Sequence, residues 1–216
     1  MTLESELAAA RELDVGEIAE AVHRIGFECT RCGHCCRGMG EEHTATVFPD
    51  EIRAVQASEE YDWRDVARPM PFGLADDDPS GDTFEWALQT DVCGDCTFYD
   101  ADGEACSIYD DRPLLCETYP FSITLGEDDV GTSEPMGSVV DTDGPVRAHE
   151  CEGLGRDITR EEAEELAATL KERAIRELEE AIAVRDNYEP VDADGVVVHD
   201  SEGQKRPDGT SLDGSR

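Results

Sequence analysis

The chain has 216 residues, with 53 acidic against 18 basic side chains, a net charge of −35 and 38% hydrophobic residues. That hydrophobic fraction supports a modest core, in one domain or one domain plus a tail. The acidity leaves no basic patch to release counterions from a phosphate backbone, which excludes nucleic acid as a partner. No apolar stretch is long enough to span a bilayer, which excludes a membrane-spanning role.

Only two of the basic residues are lysines, Lys171 and Lys205, and the acidic residues spread along the whole chain. This pattern suits concentrated salt. At about 1 M the Debye length falls to roughly 3 Å, so repulsion among surface carboxylates is screened, whereas dilute buffer lets it push the fold apart. A halophile's cytoplasm is therefore expected. The acidic N-terminus, Met1-Thr2-Leu3-Glu4-Ser5-Glu6, has no apolar run of the signal-peptide kind. A protein partner stays open. The thermal transition should rise between dilute buffer and molar salt in a melting series; a flat response would undo this reading.

Residues 4–27 are expected to be helical, with Leu7, Ala8, Ile18, Val22 and Ile25 as an apolar stripe and Gly16 as a break. A short helix is expected over 51–60, opened by Asp50 after Phe48-Pro49. Residues 76–82 (Asp-Asp-Asp-Pro-Ser-Gly-Asp) read as a loop, and 83–89 as a strand alternating Phe84, Trp86 and Leu88 with polar residues. Residues 96–99 and 105–108 flank Asp100-Ala101-Asp102-Gly103, a hairpin signal. Arg112-Pro113 starts a helical turn carrying Cys116, and 123–125 and 139–140 are strand candidates. Thr159 and Glu162 form a capping box ahead of the clearest helix, 159–187, whose stripe runs Leu166, Leu170, Ala174, Leu178 and Ile182. From 189 the Asp, Gly, Ser and Pro content predicts a flexible tail, with Val196-Val197-Val198 its one apolar spot. The domain reading is a helical segment over 1–26, a cysteine-rich domain over 27–155, an amphipathic helix over 156–188 packed on it, and an acidic tail over 189–216.

The densest chemical signal is Cys29-x-x-Cys32-x-x-Cys35-Cys36. Thiolates this close repel unless a cation holds them, and in a reducing compartment so many cysteines argue for metal rather than disulfides. Two-residue spacers let a tight turn aim successive sulfurs at one centre, with Gly33 easing the turn and Gly38 the exit. Neighbouring side chains diverge on helix or strand, so Cys35 and Cys36 should face different centres. The remaining cysteines are 93, 96, 106, 116 and 151. Cys96, Cys106, Cys116 and Cys151 brought back onto the run give eight thiolates, enough for two four-sulfur centres. Cys93 is the odd one out, although Cys93-x-x-Cys96 has ligand spacing of its own. Four-sulfur sites suit zinc, iron or an iron–sulfur cluster, and the residues do not choose among them.

Four motifs follow in order: 27–36 (Phe-Glu-Cys-Thr-Arg-Cys-Gly-His-Cys-Cys), 96–99 (Cys-Thr-Phe-Tyr), 106–121 (Cys-Ser-Ile-Tyr-Asp-Asp-Arg-Pro-Leu-Leu-Cys-Glu-Thr-Tyr-Pro-Phe) and 151–155 (Cys-Glu-Gly-Leu-Gly). In these the chain resembles the YkgJ-type cysteine-cluster family of zinc- or iron-chelating domains. The resemblance implies metal chelation and assigns to it Cys29, Cys32, Cys35, Cys36, Cys96, Cys106, Cys116 and Cys151, leaving out Cys93. It implies no settled reaction; flagellin lysine methylases carry a related cluster, so an enzymatic use is open.

His34 and His149 could serve as zinc ligands, but such histidines more often donate to other groups around a centre. Arg112 could face thiolates or a substrate anion, with a structural ion pair the blander role. Tyr109, Tyr119 and Phe121 read as packing around the metal. No Gly-rich nucleotide or phosphate fingerprint occurs. Three functions remain: a structural or chelating metal domain, an iron–sulfur redox or methyl-transfer enzyme, and a metal carrier or store. The fold expected is a small α+β domain stabilised by metal, with a short hairpin, flanking helices and a long C-terminal helix followed by a disordered tail.

Overall fold

The computed structural model of the chain describes residues 2–37, 44–58, 60–74, 80–100, 105–125 and 138–212. The architecture is α+β. Its helices are α1 (Leu3–Glu12), α2 (Val15–Ile25), α3 (Pro49–Ser58), α4 (Trp63–Val66), α5 (Leu114–Thr118) and α6 (Arg160–Asn187). The strands are β1 (Thr46–Val47), β2 (Ala67–Pro69), β3 (Gly81–Phe84), β4 (Trp86–Leu88), β5 (Tyr99–Asp100), β6 (Ala105–Cys106), β7 (Phe121–Ile123), β8 (Val139–Asp143), β9 (Val146–His149), β10 (Val196–Asp200) and β11 (Gly203–Lys205). Among the described residues no helix is long and apolar enough to cross a membrane. The chain forms two compact units that interleave along the sequence: Met1–Cys35, Asp100–Ala105 and Leu114–Glu179 in the first, and Cys36–Tyr99, Cys106–Pro113 and Glu180–Arg216 in the second.

The first unit sets α2 and α6 against an antiparallel sheet of order β7-β9-β8, with Phe121 opposite Ala148 and Ile123 opposite Val146. Its core joins Ile18 and Val22 of α2, Phe121 of β7, Val146 and Ala148 of β9, and Ala163, Ala167 and Leu170 of α6. The alanines let α6 approach closely, and each large apolar side chain so buried contributes about 1.5–3 kcal/mol. The helix over 159–187 forms as its capping box predicts: the Glu162 N–H donates to Thr159 Oγ1 at 3.2 Å, and the Thr159 N–H donates to Glu162 Oε2 at 2.9 Å. The first helical stretch breaks at 13–14 and not at Gly16. Leu13 leaves helical backbone (φ −54°, ψ 133°), and the extended Asp14 caps α2 by accepting the Glu17 N–H on its carboxylate. A capping carboxylate satisfies an orphan donor, which outweighs one glycine's flexibility inside a helix.

A buried cation ties this unit together. Arg173, 4% exposed, donates from Nη1 to Thr118 Oγ1 and to the Phe121 carbonyl, both at 3.1 Å, and from Nε to Glu177. Lys171 donates to the Leu13 carbonyl at 2.7 Å.

The second unit holds two sheets. In one, of order β1-β4-β2, Val47 pairs with Trp86 and Arg68 with Ala87. The other, of order β11-β10-β3, pairs β10 parallel to β3 (Thr83 with Val198) and antiparallel to β11 (His199 with Gln204). The single strand expected over 83–89 is two, because Glu85 takes a left-handed φ of 69°. That kink sends Phe84 outward in one sheet while Trp86 and Leu88 are buried in the other. The helix expected over 51–60 starts earlier, at Pro49, with Glu51 accepting the Phe48 N–H at 2.8 Å. The hairpin forms from β5 and β6, supported by the Ser107 N–H donating to the Phe98 carbonyl at 2.8 Å. Its turn residues 101–103, the loop residues 76–79 and Gly38 lie outside the described residues; Gly81 and Asp82 of the expected loop belong to β3.

The segment past α6, expected as a disordered tail, supplies β10 and β11. Two of its charged residues, Asp200 and Lys205, are buried partners and not solvated ones. Asp200 and Lys205 are 3% and 6% exposed; the Asp200 carboxylate accepts the Trp86 indole N–H at 2.8 Å and pairs with Lys205 at 2.8 Å. Val197 and Val198 are buried between them and β3.

Glu202 joins this network, bridging Lys205 to Arg53 on α3. The hydrogen bond from Arg53, followed by the Lys205 ammonium, outweighs burial and holds its carboxyl at about 2. This stabilisation is therefore complete above the ordinary carboxylate value of about 4.3 and is lost as pH falls through the range down to about 2. Glu202→Gln should flatten the acid limb of a stability-versus-pH curve in that window and leave its shape at neutral pH unchanged; an unaltered acid limb would show that the bridge contributes nothing.

Candidate metal centre

None of the nine cysteines is in a disulfide. The first unit holds Cys29, Cys32, Cys35, Cys116 and Cys151, and the second holds Cys36, Cys93, Cys96 and Cys106, so the division falls between the adjacent Cys35 and Cys36. Cys29, Cys35 and Cys93 are exposed, Cys96 is buried, and the other five are half-buried.

In the first unit, two segments distant in sequence are laced together. Phe27 forms a β-bridge with Leu154, the Glu28 N–H donates to the Gly153 carbonyl at 3.0 Å, and the Gly155 N–H donates to the Gly26 carbonyl at 2.9 Å. Phe27 meets Phe121 of the core edge-on, with ring centroids 5.6 Å apart. Only glycine fits at two of these positions: a Cβ at Gly153 would lie 2.4 Å from the Glu28 carbonyl oxygen, and one at Gly26 would lie 2.5 Å from that of Arg156. The lacing carries Cys29 towards Cys151. After it, Arg31 (φ 57°) and Gly33 (φ 71°) turn the chain through left-handed backbone, and His34–Cys36 form a 3₁₀ turn.

The electrostatics show which sulfurs share one neighbourhood. Burial pushes the Cys151 thiol up, partly offset by the Gly153 N–H donating to its Sγ at 3.4 Å, and negative charge on Cys32, Cys35 and Cys29 pushes it further up. Tyr119 is pushed up too, first by burial, then by Cys151, Cys35, Glu150 and Cys32. The Cys151 thiol is thus disfavoured as an anion by burial and by the nearby sulfurs, and a thiophilic cation bound there would offset that penalty. The donor set fits zinc or iron. Among the described residues, no group of three or more His, Cys, Asp or Glu side chains stands in ready metal-holding geometry.

In the second unit, the Cys96 N–H donates to the Cys36 carbonyl at 2.8 Å, Cys96 bridges to Thr90, and Cys106 ends the hairpin strand β6. Cys93 sits on a turn organised by Asp91, whose Oδ1 accepts the N–H groups of Cys93 at 2.7 Å and Asp95 at 3.1 Å. Cys116 lies on α5, in the turn expected after Arg112-Pro113.

The histidines take separate places. His34 is exposed. His149, 2% exposed, pairs through Nε2 with Ser122 Oγ at 2.9 Å, which engages that nitrogen inside the β7–β9 layer. Arg112 stacks at 3.7 Å over the Tyr109 ring and donates from Nε to the Tyr109 carbonyl. Residues that sequence reasoning missed are Gly26, Gly153 and Arg31, whose roles are backbone ones; Tyr119, expected as packing around the metal, also donates its hydroxyl to the Glu150 carbonyl at 2.5 Å. The glycines beside Phe27 and Cys151 were the only available signal.

Comparison with curated proteins and with solved structures gives no match. A family model does match, over residues 28–152, a span of more than half the chain that contains all nine cysteines. Its description is "Putative zinc- or iron-chelating domain", and it is named for the CxxCxxCC run. The chain, with Cys29-x-x-Cys32-x-x-Cys35-Cys36 laced to Cys151, belongs to the CxxCxxCC family.

Proposed function

We propose that the protein chelates zinc or iron through two thiolate-ligated centres. Cys29, Cys32, Cys35 and Cys151 make the first. Cys36, Cys96 and Cys106 serve the second, and Cys116 is the eighth thiolate of the set. The observation that carries this reading is the shared electrostatic neighbourhood of the first four sulfurs, drawn from both ends of the matched span. Metal bound there would replace thiolate repulsion with ligation; the N–H of Gly153 would continue to support Cys151. Structural zinc in small domains contributes about 10–16 kcal/mol of apparent binding energy, so the metal would be part of what holds the fold.

Two features favour other uses of the same metal. Exposed Cys29 and Cys35 suit exchange of a carried ion. An open polar cleft of about 640 Å³ in the second unit, lined by Tyr61, Arg64, Asp65, Thr90, Thr97 and Phe98, adjoins Cys96 and suits a co-substrate of an iron–sulfur redox or methyl-transfer enzyme.

The test is anaerobic purification in high salt, followed by elemental analysis, acid-labile sulfide assay and an optical spectrum. Colourless protein with stoichiometric zinc and no sulfide would leave only the zinc form. Broad visible absorbance with labile sulfide would establish a cluster. Protein with nine titratable thiols and no metal uptake would defeat the proposal.

A further inference from the structure

Tyr119 stands where neither packing alone nor ligation explains it. Its hydroxyl is held from ionising first by burial and then by negative charge on Cys151, Cys35, Glu150 and Cys32. Its hydroxyl donates to the carbonyl of Glu150, the residue immediately before Cys151. On the other flank of Cys151, the Gly153 N–H reaches the sulfur at 3.4 Å, and the Leu154 N–H donates to the Cys151 carbonyl at 3.3 Å. One step further back, the His149 N–H donates to the Pro120 carbonyl at 2.8 Å. The strand entering Cys151 is therefore tied to the 119–120 segment at two successive residues, 149 and 150. Tyr119 is itself anchored at the end of α5, its N–H donating to the Leu115 carbonyl at 3.1 Å.

We propose that Tyr119 is the positioning residue of the first centre: its hydroxyl, by holding the Glu150 carbonyl, fixes the backbone ahead of Cys151, so that it sets how fast metal leaves the Cys151 sulfur and how fast thiol reagents reach it. This rests on the metal reading given above. A side chain that orients a ligand without binding the metal typically accounts for 10–100-fold in affinity. Tyr119 has a local route to this effect, because its hydrogen-bond partners Leu115 and Glu150 lie in the first unit with Cys151.

The full chain is compared as wild type, Tyr119→Phe and Ser122→Ala, in high salt. Phe keeps the ring and removes only the hydroxyl. Ser122→Ala breaks the Ser122–His149 bond two residues from Cys151 and reports general loosening of the same sheet. Each protein is loaded with zinc, and two rates are read: release to a chromophoric chelator, and alkylation of Cys151 by iodoacetamide, mapped by mass spectrometry. Tyr119→Phe should keep wild-type zinc stoichiometry, release the Cys151-linked ion about tenfold faster, and expose Cys151 to alkylation in proportion. Ser122→Ala should keep wild-type rates. Equal rates for wild type and Tyr119→Phe overturn the proposal, as does equal acceleration in both variants. If wild type takes up neither zinc nor iron, the metal reading fails, and Tyr119 is judged on metal-free protein. There Cys151 should alkylate several-fold faster in Tyr119→Phe, and equal rates overturn the proposal.

Discussion

On the proposal of two centres, Cys35→Ser should empty the first and leave the second loaded, whereas Cys36→Ser should do the reverse. Each variant should retain about half of the wild-type metal, counted by elemental analysis against protein concentration. The expectation follows from the division of the chain between these adjacent residues and from the divergence of neighbouring side chains. Ser preserves volume, so neither change opens a cavity; what is removed is one ligand. Each unit also has an apolar core, around Ile18, Phe121 and Leu170 in the first and Ile52, Trp86 and Val198 in the second. The stability lost per variant should therefore be several kcal/mol and not the whole of the ~10–16 kcal/mol that metal contributes in domains folded by metal alone. Loss of all metal from either variant, or no loss from one, would refute two separable centres.

Gly153→Ala should be the most damaging change that touches no sulfur. The added methyl would sit 2.4 Å from the Glu28 carbonyl oxygen and 2.9 Å from the Phe27 ring. The first of these is backbone, which cannot swing away, so the two laced segments must part. Overpacking of this kind costs about 1–3 kcal/mol. The same movement separates Cys29 from Cys151 and should weaken metal retention at the first centre at least tenfold. Gly144→Ala, at the β8–β9 turn, is the control: it has φ 56° with open space around its Cβ. Its cost of about 1–2 kcal/mol comes from left-handed backbone alone, and metal retention should not change. Equal metal loss in the two variants, on chelator challenge, would show that the lacing has no special part.

Local signals in the chain specify those elements whose contacts are themselves local. The capping box at Thr159, the hairpin around 96–108 and the helical turn after Arg112-Pro113 depend on neighbours a few residues away, and each forms. The break between α1 and α2 was misplaced because Asp14 and Gly16 both signal interruption, and only the cap hydrogen bond decides between them. The strands past α6 were not legible. Asp200, Glu202 and Lys205 look solvated by composition; their partners Trp86 and Arg53 lie more than a hundred residues away.

For the site the same boundary holds. Residue type and spacing alone mark the cysteine run as thiolate chemistry for metal, and the adjacency of Cys35 and Cys36 marks two directions, because both inferences rest on charge repulsion and side-chain geometry over a few residues. Which distant cysteine joins the run is a matter of long-range closure. The bridge from Phe27 to Leu154, passable only because Gly26 and Gly153 lack a Cβ, brings the segment entering Cys29 against the segment leaving Cys151. The hydroxyl of Tyr119 then holds the approach to Cys151. Backbone-to-backbone contacts leave almost no trace in residue identity beyond a glycine, so only the tertiary structure could decide them.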